Sequence, residues 1–264
     1  MSEIQVLPGV HPVALGDGVH AFFTSAPGGV SPDPWSPAGG EAGLNLGLNV
    51  SDDPARVAAN RARVAQHLGA PVAYATQVHG ATVLPLGTAE RELWSAAEPP
   101  ATAGEGDALV TTERGLGLGV LVADCVPVLL ADPVARVVAV AHAGRKGVLS
   151  GVVPRALDAM VDRGADPARV RAAVGPAVCG RCYEVPAAMR DEVAAAVPQT
   201  FATTRAGTPG LDLPAGVAAQ LAERGVAVSR SGRCTLEDES LFSHRRASVS
   251  GTTTGRQAGI IALI

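Results

Sequence analysis

Two histidines and one cysteine are the side chains of this sequence best suited to bind a metal ion. His79 lies in the segment TQVHG, Cys125 in VADCV and His142 in VAHAG. Two imidazoles and one thiolate suit zinc, and three protein ligands leave a fourth coordination position open for water or substrate. The three residues match no short metal-binding motif. An alternative therefore stays open, in which His142 caps the next helix and Cys125 is an ordinary buried thiol.

An aspartate precedes this cysteine and interrupts a long apolar segment. Asp124 follows Val122 and Ala123 directly, in a place where burying a carboxylate is costly. Carboxylates in such places often act as acid–base groups or hold a metal ligand in position. We therefore predict a catalytic role for Asp124 as a proton shuttle. A solvent-facing turn is the alternative.

Two basic segments are candidates for substrate binding. The segment HAGRKG follows an apolar strand and contains Gly144, Arg145 and Lys146. A glycine-containing turn into a helix points backbone N–H groups at an anion, which favours a phosphate or ribose-phosphate site; a plain tight turn is the alternative. The segment SHRR contains His244 and Arg245, which either contact substrate or form a solvated surface turn.

The other cysteines form an incomplete zinc motif. Cys179 and Cys182 make a C-x-x-C pair, whereas a zinc ribbon needs a second pair. Only Cys234 remains besides Cys125, so a four-ligand site would have to recruit Cys125 or a histidine. We interpret the pair as structural or incidental thiols.

The elements that must position these residues are predicted by periodicity and by helix caps. Residues 54–68 form a helix, with Asp53 as N-cap, Pro54 in the first turn and Gly69 at the end. Its apolar stripe contains Arg61 at one of four positions. An arginine on a core-facing stripe must find a partner, because an unpaired buried charge is costly.

Apolar runs predict the strands. Residues 116–130 form two strands joined by a turn at the aspartate and cysteine, 137–141 form a fully buried strand and 258–264 a closing strand. The segments 27–43 and 87–106 indicate an irregular loop and a surface excursion. The pattern is that of a mixed α/β protein without a clear domain boundary. A helix is expected after residue 147, with one face made of Leu149, Val152, Val153, Ala156, Leu157, Met160 and Val161.

The composition excludes several classes of protein. Of the 264 residues 47% are hydrophobic and 17% charged, and the net charge is −4. The longest apolar stretch, 115–131, is interrupted by Asp124 before it reaches the ~20 residues of a membrane span. Residues Met1–Glu3 lack the cationic start of a secretory signal, and no basic run indicates a nucleic-acid groove. We expect a cytoplasmic protein that binds neither membranes nor nucleic acid.

The absence of two sequence motifs and the small number of histidines argue against further classes of enzyme. The chain contains neither G-x-S-x-G nor G-x-x-x-x-G-K-[ST], which argues against a serine hydrolase and a nucleoside triphosphatase. Its six histidines are too few for the mononuclear and trinuclear sites of a multicopper oxidase.

Ten sequence blocks carry a family resemblance along almost the whole chain. The chain resembles the YfiH-type family, once labelled multicopper polyphenol oxidases or laccases and associated with purine nucleoside phosphorylase activity. The blocks are GGVS (28–31), LNLGLNVSDDPARVAANR (44–61), TQVHG (76–80), GDALVT (106–111), ADCVPVLLAD (123–132), AHAG (141–144), VGPAVCGRCYEV (174–185), CT (234–235), LFSHRR (241–246) and TGRQAG (254–259).

The resemblance implies a fold and a metal site. It implies one catalytic domain over 1–264, a layered α/β sandwich with mixed sheets flanked by helices. It also implies zinc ligands at His79, Cys125 and His142, and a catalytic arginine, Arg61, close to them. We also expect Gln77, in the TQVHG block, to contact substrate. The family usually shows HAGWRG where this chain has HAGRKG, so purine affinity or selectivity is expected to differ.

The resemblance also implies two activities. The first is zinc-dependent phosphorolysis of adenosine, inosine and methylthioadenosine, with adenosine deaminase as a side activity, in a monomer or homodimer. The alternative is an editing hydrolase for peptidoglycan precursors, in which Cys125 is the nucleophile or the zinc site activates water. A copper oxidase and a non-catalytic, zinc-stabilised binding protein are the remaining hypotheses.

Overall fold

Two stacked β-sheets, with helices on their outer faces, form the fold. A computed structural model describes residues 7–37, 39–96 and 99–264; the terminal residues Met1–Glu3, used above for the cytoplasmic prediction, lie outside these ranges. The strands described are β1 (Val10–Pro12), β2 (Val19–Thr24), β3 (Pro27–Ser31), β4 (Val72–Tyr74), β5 (Val83–Leu86), β6 (Ala108–Thr111), β7 (Gly117–Val122), β8 (Val126–Asp132), β9 (Val137–Ala143), β10 (Arg171–Val174), β11 (Phe201–Thr203), β12 (Pro209–Leu211), β13 (Ala227–Arg230) and β14 (Gln257–Leu263). The helices described are α1 (Pro54–Leu68), α2 (Thr88–Trp94), α3 (Arg145–Leu149), α4 (Val152–Val161), α5 (Ala187–Ala196), α6 (Leu213–Ala222) and α7 (His244–Val249), and Pro198–Thr200 form a 3-10 helix.

Both large sheets are mixed. The five-stranded sheet has the order β1-β2-β14-β7-β4, and only its β4–β7 pair is parallel. The six-stranded sheet has the order β13-β10-β8-β9-β6-β5, with parallel pairs at both edges and antiparallel pairs between them. Strands β11 and β12 form a separate hairpin.

The alternation of side chains along each strand creates three apolar layers. In β9, Val137 and Ala139 pack toward α4 and α6, whereas Val138 and Val140 pack against the five-stranded sheet. The outer face of that sheet is covered by α1. The order is helix, sheet, sheet, helix, which confirms the predicted layered α/β sandwich. None of the helices in the described ranges is both long and apolar enough to cross a membrane.

Helix α1 begins and ends where its caps predict. The Asp53 side chain accepts a backbone hydrogen bond of 2.9 Å, and Gly69 ends the helix at φ +81°. The buried stripe differs at one position, because Asn60 is fully buried and Arg61 lies beside it, half-buried. The Asn60 amide can be buried since it donates to a hydroxyl and to two carbonyl oxygens.

The predicted strands around the candidate ligands are confirmed. Strands β7 and β8 flank the turn 123–125, β9 extends through His142, and β14, the last strand in the chain, is the central strand of the five-stranded sheet. The segment 27–43 was wrongly predicted to be an irregular loop throughout, because its described part begins with β3. The described part of 87–106, predicted as a surface excursion, contains α2, which buries Trp94.

The single helix expected after residue 147 was also predicted wrongly. It consists of two helices, α3 and α4, because Gly151 takes φ +71°, a conformation that interrupts the helical hydrogen bonding. Val161 is 38% exposed and does not belong to the buried face.

Candidate metal centre

Three residues that are distant in sequence converge at one end of the two sheets. The ligand atoms of His79, Cys125 and His142 all lie within 4.8 Å of one another. The Cys125 Sγ lies 3.8 Å from His79 Nε2, and the two imidazole rings are 4.7 Å apart. His79 is exposed, Cys125 is half-buried and His142 is buried. This donor set fits a single zinc-like ion with one coordination position left open.

One buried carboxylate fixes two of these ligands. The Asp107 Oδ1 lies 2.8 Å from His142 Nδ1, which leaves Nε2 for the cluster. The same carboxylate accepts the backbone N–H groups of Val78, His79 and Gly80 at 3.2, 2.9 and 2.7 Å. A carboxylate that accepts the second N–H of a ligating histidine fixes its tautomer and orientation. Asp107 therefore holds two ligands in position: His142, which lies in β9, and His79, which lies in a turn.

The turns that carry the ligands have unusual backbone conformations. His79 takes φ +61° and Asp124 takes φ +92°. The Asp124 carboxylate accepts the Thr235 hydroxyl and the Arg245 backbone N–H, both at 2.6 Å. These contacts favour a positioning role for Asp124 over the proton transfer predicted from the sequence.

A glycine allows the β9–α3 connection to pass against the cluster. A Cβ on Gly144 would lie 2.8 Å from His79 Cδ2 and 3.1 Å from Cys125 Sγ. Because both atoms belong to candidate ligand side chains, a side chain at this position would push the cluster apart. Gly144, predicted to bind substrate, is thus a close-approach position beside the candidate ligands.

Charges within the cluster reinforce one another. Burial opposes ionisation of Cys125, but the imidazoles of His142 and His79 outweigh it and lower the pKa of the thiol to about 6. Burial likewise opposes protonation of His142, yet Cys125 and Asp107 raise its pKa to about 9. Burial also opposes ionisation of Asp107, but hydrogen bonds from His142 and Gly80 lower its pKa overall. At neutral pH the metal-free cluster already holds the thiolate that a metal requires.

The cluster separates two cavities. The larger, about 480 Å³, and the smaller, about 350 Å³, share the residues His79, Ala123, Cys125 and His244. Gln77, Arg61 and Arg256 line the larger cavity, together with Asn49, Thr76, Leu121 and Thr102 among others. Asp124, Tyr183, Arg145, Lys146 and Arg245 line the smaller one.

Two predicted residues of the larger cavity are held by backbone contacts. The Arg61 Nε donates to the Leu46 carbonyl at 3.0 Å, and its guanidinium lies 4.3 Å from the centre of the Tyr74 ring. These are the partners that the arginine on the apolar stripe required. The Gln77 amide makes two hydrogen bonds with the backbone of Leu121, at 2.7 and 2.8 Å, and so ties the His79 turn to β7.

The cationic groups fall on opposite sides of the cluster. Arg145 and Lys146 line the smaller cavity, whereas Arg61 lines the larger one. Arg245 joins the smaller cavity, where it lies 5.5 Å from the Tyr183 ring centre and donates to the Glu184 carbonyl at 3.1 Å. The smaller cavity therefore has three cationic side chains beside the candidate metal.

Comparison with known proteins covers nearly the whole chain. A family model described as multi-copper polyphenol oxidoreductase laccase matches residues 20–264. The chain belongs to this family. It is 53% identical over 249 residues to purine nucleoside phosphorylase ORF3 of Streptomyces griseus, covering 92% of this chain and 94% of that one.

Solved structures of the family have the same fold. The crystal structure of the hypothetical protein YfiH from Bacillus licheniformis matches with a TM-score of 0.83 and 31% identity, over 97% of each chain. YlmD from Geobacillus stearothermophilus matches with a TM-score of 0.80 and 32% identity, over 94% of this chain and 92% of that one. The predicted membership of the YfiH-type family is confirmed.

Two site residues of this YfiH-type chain were not assigned from the sequence. Asp107 directly precedes the all-buried strand β6, which is the same signal that drew attention to Asp124. Arg256 lies in the TGRQAG block, and its backbone N–H donates to Asn45 Oδ1 at 2.9 Å. Nothing in the spacing of Arg256 indicates that it faces the cluster, because β14 reaches the site only through sheet pairing.

Proposed function

We propose that this chain is a zinc-dependent purine nucleoside phosphorylase, acting on adenosine, inosine and methylthioadenosine with adenosine deaminase as a side activity. The proposal includes one YfiH-type catalytic domain over 1–264, active in the cytoplasm as a monomer or homodimer. The observation that carries it is a three-ligand cluster between two cavities, both lined by cationic side chains. The names of the relatives support the purine nucleoside phosphorylase part of this proposal.

The metal would be held by His79 Nε2, Cys125 Sγ and His142 Nε2. Bound there, zinc would supply a Lewis acid with one open coordination position. Asp107 keeps the His142 ring in the tautomer that offers Nε2 to the cluster. The hydrogen bonds from the backbone of residues 78–80 to Asp107 hold His79 in position beside His142.

Each reactant is assigned to one cavity. The nucleoside occupies the larger cavity and phosphate the smaller one, where Arg145, Lys146 and Arg245 offset its charge. A phosphate oxygen forms a bond to C1′ as the C1′–N9 bond breaks, and the bonding electron pair leaves with the base, which then takes up a proton. Arg61 stabilises the negative charge that develops on the departing purine. His244 lines both cavities and contacts both reactants.

The side activity would use the same larger cavity. In deamination, water instead of phosphate attacks, the new bond forms at C6 of adenine, and ammonia leaves. Both reactions need a purine beside the cluster, so both should respond to substitutions of its ligands.

Chromatographic analysis of the products separates the two activities. Zinc-loaded protein incubated with adenosine and phosphate should release adenine and ribose 1-phosphate, and omitting phosphate should abolish adenine formation only. Inosine formed without phosphate would report deamination. Absence of every product with the zinc-loaded protein would contradict the proposal.

A second candidate is the editing hydrolase for peptidoglycan precursors. It is favoured by the lowered pKa of Cys125 and by the 3.8 Å distance from its Sγ to His79 Nε2, an arrangement suited to a thiolate nucleophile. A thiolate bound to zinc cannot serve as a free nucleophile. Removal of metal with a chelator should therefore abolish phosphorolysis, whereas a cysteine hydrolase would keep or gain activity on a serine-containing muropeptide.

The described residues do not support a multicopper oxidase. Among them, histidines occur in only one group of candidate ligands, and that group contains two. A trinuclear copper cluster would require many more imidazoles than this.

A further inference from the structure

A second cluster of ligand atoms lies outside the candidate active site. The side chains of Cys179, Cys182, Cys234 and Glu237 bring one ligand atom each to within 4.8 Å of one another. All three cysteines are free thiols. The C-x-x-C pair was interpreted above as structural or incidental, since a fourth ligand had to come from Cys125 or a histidine. The fold instead supplies a carboxylate, from a residue three positions after the third cysteine.

The backbone holds this cluster in place without any ion. The Cys179 carbonyl accepts the N–H groups of Cys182 and Tyr183, each at 2.9 Å, which closes the C-x-x-C turn. The Cys179 N–H donates to Cys234 Sγ at 3.4 Å, a contact that stabilises a thiolate. The Glu237 N–H donates to the Cys234 carbonyl at 3.2 Å. Two turns are thus aligned with their ligand atoms facing each other.

Arg205 lies against this cluster. Its Nη1 lies 3.3 Å from Cys182 Sγ and forms an ion pair with Glu237. That ion pair holds the carboxylate beside the three thiols.

We propose that Cys179, Cys182, Cys234 and Glu237 form a second metal site, which binds a structural zinc ion through three thiolates and one carboxylate. Four protein ligands complete a tetrahedral shell and leave no position for substrate. Binding releases the protons of the thiols, so affinity falls at low pH. The site is independent of the proposed phosphorolysis and would stand if that activity were absent.

The second ion would stabilise the wall of the first site. Thr235, next to Cys234, donates its hydroxyl to Asp124. Val178, next to Cys179, donates its N–H to the Asp124 carbonyl at 3.0 Å. The ion would join these two segments and so fix the turn that carries Cys125.

Metal content of the full chain tests this proposal. Wild-type protein loaded with zinc and freed of excess metal should hold two ions per chain. Cys182→Ser should hold one ion, and so should Cys125→Ser, which removes a ligand of the other cluster, whereas Glu237→Gln should release its second ion to a weaker chelator than wild type does. If Cys182→Ser does not fold, the exposed Glu237→Gln and the Cys125→Ser protein still give the answer.

Cobalt distinguishes the two sites by absorption. Cys125→Ser loaded with Co²⁺ should still show the sulfur-to-cobalt charge-transfer band of a thiolate site, and Glu237→Gln in that background should weaken binding at least about tenfold. Two results would overturn the proposal. One is a Cys125→Ser protein that binds neither zinc nor cobalt. The other is a disulfide among the three cysteines in protein purified without oxygen, found by thiol counting and mass spectrometry.

Discussion

The two clusters of ligand side chains differ in composition and in their surroundings. The His79 cluster joins two imidazoles to one thiol and opens onto cavities of about 480 and 350 Å³. The Cys182 cluster joins three thiols to one carboxylate, and Cys179 within it lines a cavity of only about 60 Å³. Three ligands beside a substrate-sized space indicate chemistry, whereas four ligands without such a space indicate stability.

Their thiols also differ, although Cys125 and Cys182 are both half-buried. Burial raises the pKa of both. Imidazole neighbours then lower the pKa of Cys125 to about 6, whereas thiol neighbours raise the pKa of Cys182 further, to about 12. The chemical type of the neighbours therefore decides which thiol is ionised at neutral pH in the metal-free protein.

The largest effect should follow the loss of a ligand from the open cluster. His79→Asn removes an imidazole, and asparagine tolerates the φ of +61° at this position. We expect kcat/KM for phosphorolysis to fall about 10³-fold, since a Lewis acid contributes several kcal/mol to catalysis. His20→Asn, in β2, is the matched control and should keep full activity. Equal loss in both variants would contradict the assignment.

Thiol alkylation of the metal-free protein compares the two clusters directly. The thiolate form of Cys125 predominates above its pKa of about 6. The rate of alkylation of Cys125 should therefore rise as the pH passes about 6 and then level off. Cys182 stays protonated until pH approaches about 12. At pH 7 Cys125 should react about 100-fold faster than Cys182, because far more of it is thiolate; the ratio is smaller than the ratio of thiolate fractions, since a thiolate of low pKa is a weaker nucleophile. Peptide mass spectrometry measures both rates, and equal rates would remove the contrast.

Asp107→Asn tests the carboxylate that braces the open cluster. Loss of such a partner typically lowers metal affinity or activity by about 10–100-fold, and we expect that range for zinc affinity by competition with a chelator. Asp132→Asn is the control, since its carboxylate is also buried but binds Arg169 and a remote loop. Weaker zinc binding in the Asp132 variant alone would show that the bracing argument is wrong.

The smallest effect should separate the two cavities of the open cluster. Arg61→Ala is expected to lower kcat for phosphorolysis about tenfold, because its charge acts on the departing purine, whereas Lys146→Ala should raise KM for phosphate by a similar factor. Arg63→Ala, on the same helix as Arg61 but lining a different cavity, should change neither constant. Steady-state kinetics with each substrate varied in turn measures these constants. Identical kinetic responses to the Arg61 and Lys146 substitutions would contradict the assignment of the two residues to separate subsites.

The sequence predicts what depends on local signals. Asp53 and Gly69 define both ends of α1, and the aspartate at 124 marks the turn between β7 and β8. Gly151 splits the α3–α4 segment because it takes a left-handed conformation, which the apolar periodicity does not reveal. Segment α2 escaped prediction because its one buried side chain, Trp94, gives no periodic pattern.

The site contacts that the sequence did not predict depend on strand pairing between residues that are distant in the chain. Asp107 reaches His142 because β6 and β9 are antiparallel neighbours, and no short spacing connects the two residues. Cys234 reaches the C-x-x-C turn through an isolated bridge to Ala177. The three candidate ligands were grouped from their residue types, and the family resemblance implied the same set, whereas the carboxylate at Glu237 had no comparable signal.

Anomalous X-ray scattering at the zinc edge, from crystals of the metal-loaded protein, tests the central claim most directly. We predict a peak about 2.0–2.3 Å from His79 Nε2, Cys125 Sγ and His142 Nε2, with a fourth ligand that does not come from the protein. A peak absent from this place, or a fourth protein side chain closing the shell, would contradict a catalytic metal centre.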